Sequence, residues 1–124
     1  MTLTTKYLPG NNLLSKTMRV DLDNINDDGL LSNCAMLQEV ANFNDSAITR
    51  AFGKLNYDGI STMRYNIYIH NEGKLGDELK IESRYSVNDR QQLTIVVTIR
   101  KTSTGLNIPI LTGSFTFINS IQNN

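Results

Sequence analysis

At 124 residues the chain has the size of one domain, long enough to bury roughly two thirds of the surface that its unfolded form exposes. Its 12 Lys and Arg balance 12 Asp and Glu and no basic stripe appears, which excludes an electrostatic footprint for phosphate backbones or anionic membranes. A single Cys rules out an internal disulfide, no run approaches a membrane span, and the first residues lack the basic-then-apolar pattern of a secretion signal, so a soluble cytoplasmic protein is expected.

Residues 1–13 are polar and broken by Pro9-Gly10-Asn11-Asn12, which reads as a loose arm with a turn. A first strand is expected from about Leu14 to Leu22, where Met18, Val20 and Leu22 alternate with Thr17, Arg19 and Asp21. Asp27-Asp28-Gly29-Leu30-Leu31-Ser32-Asn33 then leads into a run that changes period. Apolar residues recur at Leu30, Cys34, Leu37, Ala41, Ile48, Phe52 and Leu55, the spacing of one helix face, and Met36, Val40, Phe43, Ala47 and Ala51 widen the stripe. Cys34 is expected on that face as a small buried hydrophobe. Gly53 is a suitable helix stop, and Asn56-Tyr57-Asp58-Gly59 a turn.

After the helix the period becomes two. Met63, Tyr65, Ile67 and Ile69 share one face of a strand, and Asn71-Glu72-Gly73-Lys74 breaks it. A second strand over 77–87 places Leu79, Ile81, Tyr85 and Val87 together, and a third places Leu93, Ile95, Val97 and Ile99 together. In the last, from about Leu106 to Ile118, the apolar phase slips between Ile110 and Leu111. Pro109 beside that slip favours a bulge or an edge position. Short turns make the late strands antiparallel neighbours, and their one-sided apolar faces need cover that only the helix can supply. The expected fold is α+β: one curved antiparallel sheet wrapped around one long helix.

This element order resembles the hotdog-fold superfamily of acyl-CoA and acyl-carrier-protein thioesterases, which includes the 4-hydroxybenzoyl-CoA type and related dehydratases. Two local matches carry the resemblance. Gly29-Leu30-Leu31-Ser32-Asn33 is similar to a Gly-His-Val-Asn-Asn helix entrance, and Gly76-Asp77-Glu78-Leu79 to a Gly-Asp-x-Leu strand start. The resemblance implies an acyl-thioester hydrolase whose helix N-terminus receives the thioester carbonyl, with substrate-binding residues at Gly29, Leu30, Leu31 and Asn33. A helix start offers free N–H groups and a positive dipole end.

Hydrolysis also needs a carboxylate to activate water. One family branch carries an Asp three residues before the entrance Gly. Here that position is Asn26, with Asp27 and Asp28 directly after it. Another branch carries its acid within the helix, nine residues after the entrance His. With Leu30 on that His, the acid is Glu39. Glu39 also has Ala35, Met36 and Phe43 among its helical neighbours, at the edge of the polar face. It ranks first as catalytic acid, then Asp28, then Asp27. The entrance His is replaced by Leu30, which narrows and dries the entrance and suits, as an alternative, a non-catalytic acyl-thioester binder; a hotdog dehydratase or hydratase, which would use a His with an acid, ranks lower. His70 reads as an exposed strand-end residue, Asn33 and Asn44 as amides within the apolar arc.

The family builds its sites between two subunits, so the resemblance implies a homodimer or homotetramer. It implies neither metal nor prosthetic group: coenzyme A or phosphopantetheine enters as part of the substrate, carried on acyl-CoA or on an acyl-carrier protein.

Overall fold

The computed structural model describes residues 12–53, 59–103 and 105–120, and residues 4–8 as backbone. Six strands and one long helix follow in the order β1 (Thr4–Leu8), β2 (Leu13–Arg19), α1 (Asn33–Phe52), β3 (Ile60–Ile69), β4 (Glu78–Val87), β5 (Gln92–Lys101) and β6 (Ile108–Asn119). All pairs are antiparallel in one sheet of order β1-β2-β4-β5-β6-β3. The sheet is curved and α1 packs over its β4 and β5, the hotdog arrangement that the sequence implied.

The helix begins where Ser32 caps it, its Oγ accepting from the Ala35 N–H at 3.0 Å. It ends at Gly53, whose φ of 83° is a conformation that a side chain resists, and whose N–H donates to the Thr49 carbonyl. Leu55 and residues 56–58 of the expected turn lie outside the described residues. The buried stripe is Met36, Val40, Phe43, Ala47, Ile48 and Phe52. Cys34, expected inside, is exposed, as are Leu37 and Ala41. These three lie about 100–160° round the helix from Met36, at 100° per residue, so the core contact takes the Met36–Phe43 phase instead.

Against α1, the sheet presents Leu79, Ile81 and Tyr85 of β4 and Leu93, Ile95, Val97 and Ile99 of β5, all buried. Full burial of side chains of this size stabilises by about 1.5–3 kcal/mol each. The strand expected to reach Leu22 stops at Arg19. Leu22 opens a short 3-10 turn capped by Asp21 and is exposed. Residues 4–8, expected in a loose arm, pair with β2 as β1.

The main topological departure concerns β3. It does not pair with β4 across the 71–74 turn but with β6, so residues 70–77 cross to the far part of the sheet. The Gly76-Asp77 segment therefore follows a crossing rather than a hairpin. Two bulges adjust the registers. Met63 is the extra residue in β3, which takes it out of phase with Tyr65, Ile67 and Ile69. Ile110 is the extra residue in β6, so Ile110 and Leu111 are both buried and Pro109 sits at the bulge, not on an edge strand. Tyr65, Ile67 and Ile69 lie opposite Phe115, Gly113 and Leu111 on the helix side of the sheet, beyond the cover of α1. Tyr65 and Ile69 are accordingly exposed, with Tyr65 stacked on Phe115 at a centroid distance of 6.2 Å.

Candidate functional site at the helix entrance

The segment before α1 is a closed turn built on Asn26. Its Oδ1 accepts from the Asp28 N–H at 2.9 Å and the Leu30 N–H at 3.2 Å, while its own N–H donates to the Leu30 carbonyl at 2.8 Å. Gly29, at φ 78°, makes the reversal and donates to the Asn26 carbonyl. The crossing segment is clasped to this turn. The Leu31 N–H donates to the Gly73 carbonyl at 2.8 Å, and Leu30 and Lys74 form a β-bridge. The Ser32 N–H donates to the Asn24 carbonyl.

These bonds decide which donors are free. The N–H groups of Leu30 and Leu31, expected as oxyanion donors, are both satisfied within the protein. Those of Asn33 and Cys34, the first two of the helix, have no acceptor among the described residues. The available donors therefore lie three residues further along than the sequence suggested.

Beside them is a cleft of about 300 Å³ between the helix start, the end of β3 and the crossing segment. Leu30, Leu31, Met36 and Ile69 form its apolar wall. Asn26, Asn33, Asn71, Glu72 and Gly73 form the rest. An apolar wall beside polar groups suits a ligand with a hydrophobic portion and a carbonyl.

Of the expected site residues, Leu30, Leu31 and Asn33 line this cleft. Gly29 shapes the turn without lining it, and Asp27 and Asp28 are exposed and outside it. Glu39 is elsewhere. It faces β2, where its Oε1 meets Lys16 Nζ at 2.5 Å, with the two side chains 16% and 8% exposed. These two, with Asn42, Phe43 and Ser46, line a smaller cleft of about 120 Å³ that shares no residue with the first. β2 lies on one side of the β4–β5 pair that α1 covers and β3 on the other, so Glu39 is turned away from the helix-entrance cleft within this chain. Asn33 is exposed; Asn44 Oδ1 is buried and finds no partner among the described residues. His70 is exposed, with Nε2 3.1 Å from Thr112 Oγ1.

Two features escaped the sequence. Lys16 shares the inward phase of Leu14 and Met18, and a charge in an apolar alternation signals a buried ion pair. Ile69, Asn71, Glu72 and Gly73 reach the cleft only because the crossing returns past the helix start, which a local turn signal does not encode.

No family model matches the sequence, and no curated protein matches it. Solved structures match in shape. The chain is similar to a hypothetical thioesterase with coenzyme A from Streptococcus pneumoniae TIGR4, at 15% identity and a TM-score of 0.72 over 99% of this chain and 92% of that one. It is similar to a Streptococcus mutans UA159 protein bound to acetyl CoA, at 16% identity and TM-score 0.69 over 100% and 93%. A third is a 1,4-dihydroxy-2-naphthoyl-CoA thioesterase from Synechocystis, at 11% identity and TM-score 0.67 over 86% and 80%. Likeness at these identities speaks for the shared fold.

Proposed function

We propose that this hotdog-fold chain hydrolyses CoA thioesters, with the thioester carbonyl received at the start of α1. The observation that carries the reading is the unengaged N–H of Asn33, which lines a cleft apolar on one wall, followed by the unengaged N–H of Cys34 in the same helix turn. As water adds to the carbonyl carbon, negative charge develops on the oxygen. N–H groups fixed in advance stabilise that charge without having to reorganise. The positive end of the helix dipole acts in the same direction. Leu30, Leu31, Met36 and Ile69 then border the acyl group. CoA as carrier is supported by the coenzyme A and acetyl CoA found with two similar structures.

The site is proposed to be completed in a homodimer. β3 is an edge strand of ten residues with Arg64 as its one charge, and it exposes Met63, Tyr65, Tyr68 and Ile69. Such an edge offers unpaired backbone groups to a second copy of itself. Pairing two β3 strands would bring Ile69, and with it the cleft, next to the partner subunit.

The test is release of free thiol from a panel of acyl-CoAs, run beside equilibrium binding of the same compounds and sedimentation of the protein. Saturable turnover by a dimer supports the reading. Saturable binding without turnover favours an acyl-CoA binder, consistent with the apolar Leu30 at the entrance. Neither turnover nor binding removes CoA thioesters from the account.

A further inference from the structure

We infer that Glu72 is the catalytic carboxylate that activates the attacking water, an assignment that rests on the thioesterase reading of the helix-entrance cleft. Among the residues of one chain that line that cleft it is the one carboxylate; in the same chain Asp27 and Asp28 lie outside it and Glu39 faces β2. Glu72 has no ion pair or side-chain hydrogen bond among the described residues, so both of its oxygens are open to a water molecule. Glu39, by contrast, has one oxygen occupied by Lys16.

The backbone on either side of Glu72 is held in place. Asn71 donates from Nδ2 to the Pro109 carbonyl at 2.7 Å, and the Gly73 carbonyl accepts from the Leu31 N–H at 2.8 Å. Gly73 is also packed so closely on Leu31 that a Cβ there would stand 3.1 Å from the Leu31 side chain. The turn carrying Glu72 thus stays against the helix entrance. The backbone that carries Glu72 is held beside the cleft, which limits how far its carboxylate can stray from a water bound there.

In the step assigned to it, a Glu72 oxygen takes a proton from water as the water oxygen bonds to the thioester carbon. The carbonyl electron pair moves onto oxygen beside the Asn33 and Cys34 N–H groups. Collapse of that intermediate re-forms the carbonyl and breaks the C–S bond. Sulfur leaves with the electron pair and recovers the proton from Glu72, giving the free thiol of CoA and a carboxylic acid.

The experiment compares E72Q, E72D, E39Q and D28N with the parent, using whichever acyl-CoA the parent turns over, and measures kcat and KM separately. Glu72 is exposed, so E72Q is expected to melt with the parent. The expected result is a fall in kcat of about 100-fold or more for E72Q, KM within a few-fold of the parent, and partial recovery in E72D. A kcat for E72Q within threefold of the parent overturns the assignment while leaving the thioesterase reading intact, and so does a loss confined to E39Q or D28N. A parent that hydrolyses no acyl-CoA in the panel overturns both.

Discussion

Lys16→Met is the most informative change to the packing of α1 on the sheet. Lys16 lies on the inner face of β2 between the buried Leu14 and Met18, and its ammonium reaches Glu39 on the helix. Replacing it with Met keeps the apolar stem and strands the Glu39 charge. Removing one member of a buried pair costs about 3–5 kcal/mol. Glu39 retains 16% of its side-chain exposure, and the adjoining cleft of about 120 Å³ admits water, which offsets part of that cost. About 2–3 kcal/mol of lost stability is expected once that screening is allowed for. With an unfolding entropy of about 2.1 cal/mol/K per residue over 124 residues, this lowers the melting temperature by about 8–12 °C. The double change Lys16→Met with Glu39→Met should recover most of the loss, because two apolar side chains leave no charge to solvate. Urea and thermal unfolding at one fixed protomer concentration measure this. A single Lys16→Met variant within about 0.5 kcal/mol of the parent would show the pair to be screened like a surface one and refute the reasoning.

Three further changes probe the fold. Ser83 Oγ is buried without a partner among the described residues, so Ser83→Ala should leave stability unchanged or raise it by up to about 1 kcal/mol in denaturant titration. Gly113→Ala would put a Cβ 2.8 Å from Phe115 Cε2. That ring is stacked between Tyr65 and Phe117, so overpacking should lower stability by about 1–3 kcal/mol. Ser32→Ala removes the cap on the Ala35 N–H and should cost about 1 kcal/mol in thermal unfolding.

Much of the architecture was legible because local chemistry and the global fold agree. Gly53 marks the end of α1, although the helix starts at Asn33 and leaves Leu30, expected on its stripe, in the turn before it; alternation in β4 and β5 gave their inward faces correctly. The phase slip beside Pro109 foretold the bulge at Ile110. What failed depended on partners distant in sequence. The helix stripe is wide enough to be buried along either of two phases, and contact with β4 and β5 selects Met36, Val40 and Phe43 over Cys34, Leu37 and Ala41. β3 alternates equally well whether it pairs with β4 or β6; only the assembled sheet decides. The site shows the same division. Leu30, Leu31 and Asn33, singled out by the entrance motif, line the cleft, whereas Glu72 reaches it from what reads locally as a strand-breaking turn. Glu39 looked poised on the helix surface because Lys16, 23 residues earlier, is invisible to any helical-neighbour argument.

Asn33→Pro against Asn33→Ala tests most directly whether the helix start receives the carbonyl. Asn33 is the first helical residue, where Pro is well tolerated, and Ser32 at φ −76° and ψ 151° already has the backbone that a residue before Pro adopts. Both variants lose the side chain, but only Asn33→Pro loses the N–H. Equal melting temperatures are expected, with a kcat/KM for acyl-CoA about 100-fold lower in Asn33→Pro than in Asn33→Ala. Equal kcat/KM in the two folded variants would contradict that placement of the carbonyl.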